Sequence, residues 1–433
     1  MSAKRVLIIS YYWPPASGPG VQRILKFAKF LPEFGWEPTV LTVRNGSYPN
    51  TDDSLLEEVK DVKVIRTKTL EPFAIYNSLQ GKKGKSVPVA MQGIKDSKSP
   101  FQKLAKYIRA NLFIPDARMY WRGYAVKEAR RILQEDKFDA IITSGPPHSS
   151  HLIGLDLKKE FGIPWIADFR DPWTGIYYNK FLPRSKRTQE KDKALEDLVL
   201  DSADSVIAIS KTFSKQLEDR AKHAEVILNG FDPGDMPEPK EVKNEKFRLG
   251  YIGNFKPNQD VPVLWGILKD NLESDPGFKY KFELLLAGNV DPHIESKLNS
   301  MGLGSILKRM DFMPHDEAVK TMQSCDALLF IIPDSDDNEL ILTGKIFEYL
   351  AIRRPIFSIG PKGGDADHLL QEMGRGEIID YDDASTMNAR LDGLTKQWQE
   401  KGSLNNLSND GLDRLTRKAS TEELSRLLDK ISA

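Results

Sequence analysis

The residues best placed to do chemistry are Thr343, Gly344, Lys345 and Glu348, in a segment running from Leu342 to Gly360. The segment reads as a glycine turn, a short helix and a buried strand that ends in glycine. Thr343 and Gly344 fall where backbone N–H groups point out of a helix start, and such a start attracts anions. Lys345 and Glu348 are three residues apart and share a helix face. A phosphate can rest on the helix start and on Lys345. Glu348, one turn deeper, can then accept hydrogen bonds from sugar hydroxyls of the same ligand. That is a nucleotide-sugar site in outline. The same two side chains would equally make an i,i+3 salt pair on a solvated helix. Upstream, Gly253 follows a strand and permits close backbone approach, with Asn254 beside it and Lys256 able to meet a phosphate. His315 and Asp316 close another short segment.

A second set lies in the first half. Gly18 and Gly20 precede a helix that carries Arg23, so a phosphate or sugar can approach the backbone there. This is not the dinucleotide fingerprint, because Arg23 stands where the third glycine belongs and the loop after the strand is too long. A dehydrogenase is disfavoured. His148 follows one strand, and Asp168, Arg170 and Asp171 follow another. Ligands bind beyond the carboxyl ends of parallel strands. These residues read either as a salt-bridge cluster or as an acceptor site with acid–base help from Asp171 or His148. The acidic run Asp334–Asp337 has the composition of a metal loop, but reads as a solvated turn.

Short apolar runs alternating with amphipathic stretches must position these residues. Strands are predicted at Val6–Ser10, Thr39–Val43, Val62–Ile65, Ala140–Thr143, Trp165–Asp168, Ser205–Ile209 and Glu225–Leu228. A second series runs Phe247–Ile252, Phe282–Ala287, Ala327–Ile332 and Pro355–Ile359, with a weaker strand at Glu377–Ile379. The rhythm is βαβ, which predicts two α/β, Rossmann-like, doubly wound halves. A proline-rich, charged stretch from Asp232 to Glu245 reads as the linker, with the junction near residue 235. Residues 72–120 break the rhythm. Within them, residues 82–109 combine a lysine-rich loop with a basic amphipathic helix, Phe101–Arg109, which fits a solvated surface, an anionic membrane face or an acceptor's phosphate.

Composition narrows the class. The chain has 433 residues, enough for two to three domains, and 62 basic against 62 acidic side chains. That balance argues against a nucleic-acid binder. The lone Cys325 excludes an internal disulfide and precedes an apolar run, so it reads as a buried thiol. No apolar stretch is long enough to span a membrane and the N-terminus is unlike a signal peptide, so the cytoplasm is the expected compartment.

Taken in order, seven segments resemble the bacterial GT-B glycosyltransferases of the group-1 family. They are Pro14 to Arg23, Asp168 to Trp173, Val206 to Ser210, Ile227 to Asp232, Gly250 to Asn254, Phe312 to Asp316 and Gly344 to Leu350. The resemblance spans nearly the whole chain. It implies two Rossmann-like domains facing a cleft: an acceptor-binding domain over residues 1–235 and a nucleotide-sugar domain over 236–411. A final helix within 412–433 would cross back to the first. It implies a retaining, metal-independent hexosyltransferase without a cofactor, using a UDP- or GDP-sugar and a glycan, lipid-linked or other hydroxyl acceptor. Cell-surface polysaccharide biosynthesis is the implied setting, with peripheral membrane contact through residues 82–109.

Carried over, Glu348 resembles the carboxylate that binds donor ribose. Thr343, Gly344 and Lys345 would hold the pyrophosphate. Lys256 is the candidate second cation, with Gly253 and Asn254 beside it. Gly18 and Gly20 would lie near the donor phosphates. Arg23, Asp168 and Arg170 would bind the acceptor. Two departures stand out. The carboxylate that many members place eight residues before Glu348 would fall on Leu340, with Glu339 one residue off. Asn254 and Lys256 stand where an Arg…Lys pair is usual. A sugar-nucleotide 2-epimerase and a degenerate binding subunit are the alternative readings.

Overall fold

Val6 and Ile8 point to one side of the first strand, Leu7 and Ile9 to the other, and all four are fully buried. Strands apolar on both faces belong inside a parallel sheet covered by helices. The computed structural model has this arrangement twice. It describes residues 3–433 apart from 49, 71–99, 237, 239 and 405. The lysine-rich loop within 82–98 therefore lies outside the described residues.

The first sheet contains β1 (Lys4–Ile9), β2 (Trp36–Val43), β3 (Lys63–Thr67), β4 (Ala140–Gly145), β5 (Trp165–Phe169), β6 (Ser205–Ala208) and β7 (Ala224–Val226). All its pairings are parallel, in the order β3-β2-β1-β4-β5-β6-β7. Its helices are α1 (Pro19–Phe30), α2 (Leu55–Glu58), α3 (Pro100–Leu112), α4 (Trp121–Glu135), α5 (Ser149–Phe161), α6 (Lys186–Ser202) and α7 (Lys211–Glu218). The helix predicted over Phe101–Arg109 is α3. Alternation along the strands divides the core in two. Leu7, Ile9, Ile141, Trp165 and Phe169 pack in one cluster, and Val6, Ile8, Ile142 and Ile166 in the other.

The second sheet contains β8 (Phe247–Ile252), β9 (Phe282–Ala287), β10 (Leu307–Met310), β11 (Ala327–Ile331) and β12 (Ile356–Ile359), in the parallel order β10-β9-β8-β11-β12. Its helices are α8 (Pro262–Ser274), α9 (Pro292–Ser300), α10 (His315–Gln323), α11 (Gly344–Ile352), α12 (Asp365–Glu372) and α13 (Ala384–Lys401). Two predictions change here. Edge strand β10 reads Leu-Lys-Arg-Met, and its two cations hide it from an apolar-run reading. The strand predicted at Glu377–Ile379 is only an isolated bridge from Ile379 to Ile359.

Contacts divide the chain into two compact units, one of residues 1–229 and 417–433 and the other of residues 230–416. The change of unit falls a few residues before the junction expected near 235. Helix α14 (Arg417–Ile431) belongs to the first unit. There Leu424, Leu427 and Leu428 join the cluster that holds Ile24, Phe27 and Leu31. Cys325 is fully buried, and a Cβ on Gly250 would come within 2.3 Å of its Sγ. Burial pushes the thiol up to about 12, so it is an inert packing group. Among the described residues no helix is long and apolar enough to cross a membrane.

Candidate functional site

In the second unit the strand order reverses between β8 and β11, the switch point at which open α/β sheets bind ligands. Beyond β8, Gly253 has φ +130°, and a Cβ there would sit 2.4 Å from Lys345 Cε and 2.7 Å from its Nζ. Glycine is favoured because a side chain would be strained at that φ, and its absence lets the lysine stem cross close to the backbone. Lys345 Nζ donates to Tyr251 Oη at 2.5 Å and to the Asn254 carbonyl at 3.4 Å, and it lies 4.1 Å from the centre of the Tyr251 ring. Tyr251 Oη in turn donates to the Asn254 carbonyl at 2.6 Å. Burial pushes Lys345 down to about 7, with Glu348 opposing that shift and Lys256 adding to it. An ammonium in this setting gains when an anion arrives.

Lys345 belongs to the first turn of α11. Thr343 is the N-cap residue, yet its side chain makes no capping bond, and its buried Oγ1 has no hydrogen-bond partner among the described residues. The helix start thus carries an unpartnered hydroxyl and open backbone donors, with the lysine on its first turn. Glu348 follows one turn on. The i,i+3 salt pair with Lys345 is not formed. Glu348 Oε1 lies instead 3.0 Å from Nε2 of His315, the first residue of α10. Lys256 is exposed, and its backbone N–H donates to Gln259 Oε1 at 3.1 Å, which fixes the loop. Asn254 Oδ1 accepts from Asn289 Nδ2 at 3.1 Å. Leu340 is 8% exposed and acts as an apolar anchor. Glu339 beside it is half-buried on a 3-10 turn packed against Gly364.

In the first unit the order reverses between β1 and β4. Gly18, at φ +122°, caps α1, and Pro19 follows at its first position. Gly20 seats the Arg170 guanidinium: a Cβ there would fall 1.4 Å from Arg170 Nη1. Arg170 also donates from Nε to the Gly145 carbonyl at 3.2 Å and from Nη2 to the Pro146 carbonyl. Asp171 is half-buried, within electrostatic reach of Arg170 and Tyr177. His148 stacks on Trp173 at 5.0 Å, and His151 stacks on Phe169 at 4.4 Å. Burial, then the charges of His151 and Arg170, holds His148 well below the usual imidazole range, so it is neutral at pH 7. Its ring hydrogen-bonds the Pro172 backbone, and its Nδ1 has no partner among the described residues.

Arg23 and Asp168 meet below this rim. Their side chains are 1% and 0% exposed. Arg23 Nε and Nη2 donate to Asp168 Oδ1 at 3.0 and 2.9 Å, while Nη1 donates to the Leu228 carbonyl and to Asn229 Oδ1. Ser144 Oγ donates to Asp168 Oδ2 at 2.8 Å. The pair ties α1, β4, β5 and the segment after β7 together. Sequence reasoning did not assign Tyr251, His151, Ser144 or Trp173 to either cluster. Tyr251 was detectable: Phe247, Leu249 and Tyr251 alternate along β8, which puts the only one bearing a hydroxyl at the ligand end.

The sequence profile of Glycosyltransferase Family 4 matches residues 20–235. The chain belongs to this family. The glycosyltransferase family assignment agrees with solved structures that cover almost all of the chain. A glycosyltransferase from Rickettsia africae has a TM-score of 0.59 at 14% identity, covering 100% of this chain and 99% of that one. Anabaena HepE in complex with UDP-glucose has a TM-score of 0.60 at 14% identity, covering 98% and 99%. Sucrose-phosphate synthase from Thermosynechococcus elongatus has a TM-score of 0.57 at 14% identity, covering 99% and 96%. These likenesses establish the GT-B fold, with its two parallel α/β sheets. No curated protein sequence matches the chain significantly.

Proposed function

We propose that this glycosyltransferase moves a hexosyl group from a nucleoside diphosphate sugar to a hydroxyl acceptor, with retention and without a bound metal. One observation carries the reading: Lys345, drawn across Gly253 onto Tyr251 and pushed down to about 7, sits at a helix start with an unpartnered Thr343 hydroxyl. The diphosphate lies on Thr343, Gly344 and Lys345, with Lys256 as the second cation and Asn254 beside it. Glu348 takes the ribose hydroxyls. HepE, solved with UDP-glucose, supports a UDP-sugar as the first donor to test. In the reaction the bond from the anomeric carbon to the β-phosphate oxygen breaks, and the acceptor oxygen bonds that carbon. The acceptor proton passes to the leaving diphosphate. Lys345 stabilises the charge developing there.

Acceptor contact falls to Arg170, Asp171 and His148. Arg23 and Asp168 position the strand end that carries them, because neither side chain reaches the surface. His148, being neutral, serves as a hydrogen-bonding group. Glu339 is the candidate for the sugar-facing carboxylate displaced from Leu340. A lipid-linked glycan, as in cell-surface polysaccharide assembly, is the proposed acceptor class. Tyr107, Ile108 and Leu112 of α3 are exposed, with Lys103 on the same helix, and Phe181 is exposed nearby in sequence to the Arg184 turn. The protein should therefore co-sediment with anionic vesicles and not with neutral ones. Recovery with anionic vesicles no greater than without vesicles would remove the membrane contact.

A nucleotide-sugar panel tests the reaction. Slow release of UDP or GDP is expected, whereas epimerised donor without acceptor would establish the 2-epimerase instead. Glu348→Ala should weaken nucleotide affinity roughly 10- to 100-fold, as expected for losing hydrogen bonds to a charged group. Calorimetry showing unchanged affinity would overturn the ribose assignment.

A further inference from the structure

Glu348 does not stand alone. His315 Nε2 is 3.0 Å from its Oε1, and the two side chains are 47% and 26% exposed. The pair is thus at the surface, with Glu348 three residues after Lys345 on α11. His315 opens α10 directly after Pro314, whose backbone is extended at ψ 157°. Helix α10 packs beside α11, so the imidazole is supplied by an element independent of Glu348's own. Lys345 cannot do this job, since its ammonium is engaged by Tyr251 and Asn254.

A glutamate has three side-chain torsions, and binding a diol through it requires one carboxylate orientation. A donor fixed to Oε1 selects that orientation before the ligand arrives and leaves Oε2 for hydroxyls. We propose that His315 is a positioning residue for ribose recognition, acting through Glu348. The inference rests on the reading of Glu348 as the ribose carboxylate. Acting through Glu348 on the ribose, the imidazole sets donor affinity and leaves the chemical step unchanged.

The test compares UDP and GDP with their 2′,3′-dideoxy forms by calorimetry, together with donor kinetics. The wild-type protein should prefer the ribose form of the nucleotide it binds. His315→Ala should shrink that preference about fivefold to tenfold, in line with a lost charge-assisted hydrogen bond. It should raise the donor KM while kcat stays within about twofold. His315→Gln, whose amide can donate to Oε1, should restore much of the preference. A purely structural role would weaken both nucleotide forms equally, and that result would overturn the proposal. If Glu348→Ala abolishes the preference and His315→Ala does not, the positioning role fails and the ribose reading stands. If the wild-type protein shows no preference at all, the ribose reading itself fails and takes the proposal with it.

Discussion

Lys345→Met is expected to lower kcat by roughly 10²- to 10³-fold, the loss typical of removing one preorganised donor from developing negative charge. Methionine keeps the unbranched stem that crosses Gly253 and packs on the Tyr251 ring. It deletes only the ammonium. Stability should not fall, because a buried cation without a carboxylate partner is itself unfavourable in the free protein. An unchanged melting temperature together with the kcat loss would assign the effect to chemistry. A kcat within threefold of wild type would remove Lys345 from the mechanism.

The same lysine should link nucleotide binding to protons. Burial holds its free-state pKa at about 7. A bound diphosphate favours the charged form and raises that value. Between the two values, binding takes up a proton. Affinity for UDP should therefore fall as pH rises above 7, by up to about tenfold per pH unit when uptake is complete. UDP itself is fully ionised in that range, since its last phosphate proton leaves near pH 6. Calorimetry at pH 8 in buffers of different ionisation enthalpy measures the uptake directly. In Lys345→Met both the uptake and the slope should vanish. A wild-type slope of zero would mean that the lysine is already charged in the free protein.

The alternating apolar runs made most of the fold legible. Val6 to Ile9 or Leu284 to Ala287 admit almost no reading but a buried parallel strand. β10 was not legible, because an edge strand needs only one apolar face and this one carries Lys308 and Arg309. At the site, Gly253, Lys345 and Glu348 were visible as residue types, but their partners were not. The sequence shows that Lys345 and Glu348 share a helix face. It does not show that Tyr251 draws one away and His315 engages the other, since those contacts cross 94 and 33 residues. Gly20 is a similar case. Its spacing suggests room for a phosphate, and the space is filled by Arg170. Arg23 and Asp168 are the clearest case. Two charges 145 residues apart can be ligands or each other's partner, and only packing decides.

That packing predicts a large effect on stability. Asp168→Ala should destabilise the first unit by about 3–5 kcal/mol, because it leaves the Arg23 guanidinium buried without its counter-charge. For a unit of this size the transition should move down by roughly 6–20 °C. Arg23→Met should cost a similar amount for the converse reason. The double variant Arg23→Met with Asp168→Leu removes both charges and fills the space, so it should be more stable than either single variant. Differential scanning calorimetry on the four proteins closes the cycle. The coupling separates the two roles these residues can have. Partners in a buried ion pair give singles with lowered transitions, each less stable than the double. Acceptor ligands give unchanged transitions and a raised acceptor KM in every variant, and that pattern would return Arg23 and Asp168 to the binding surface.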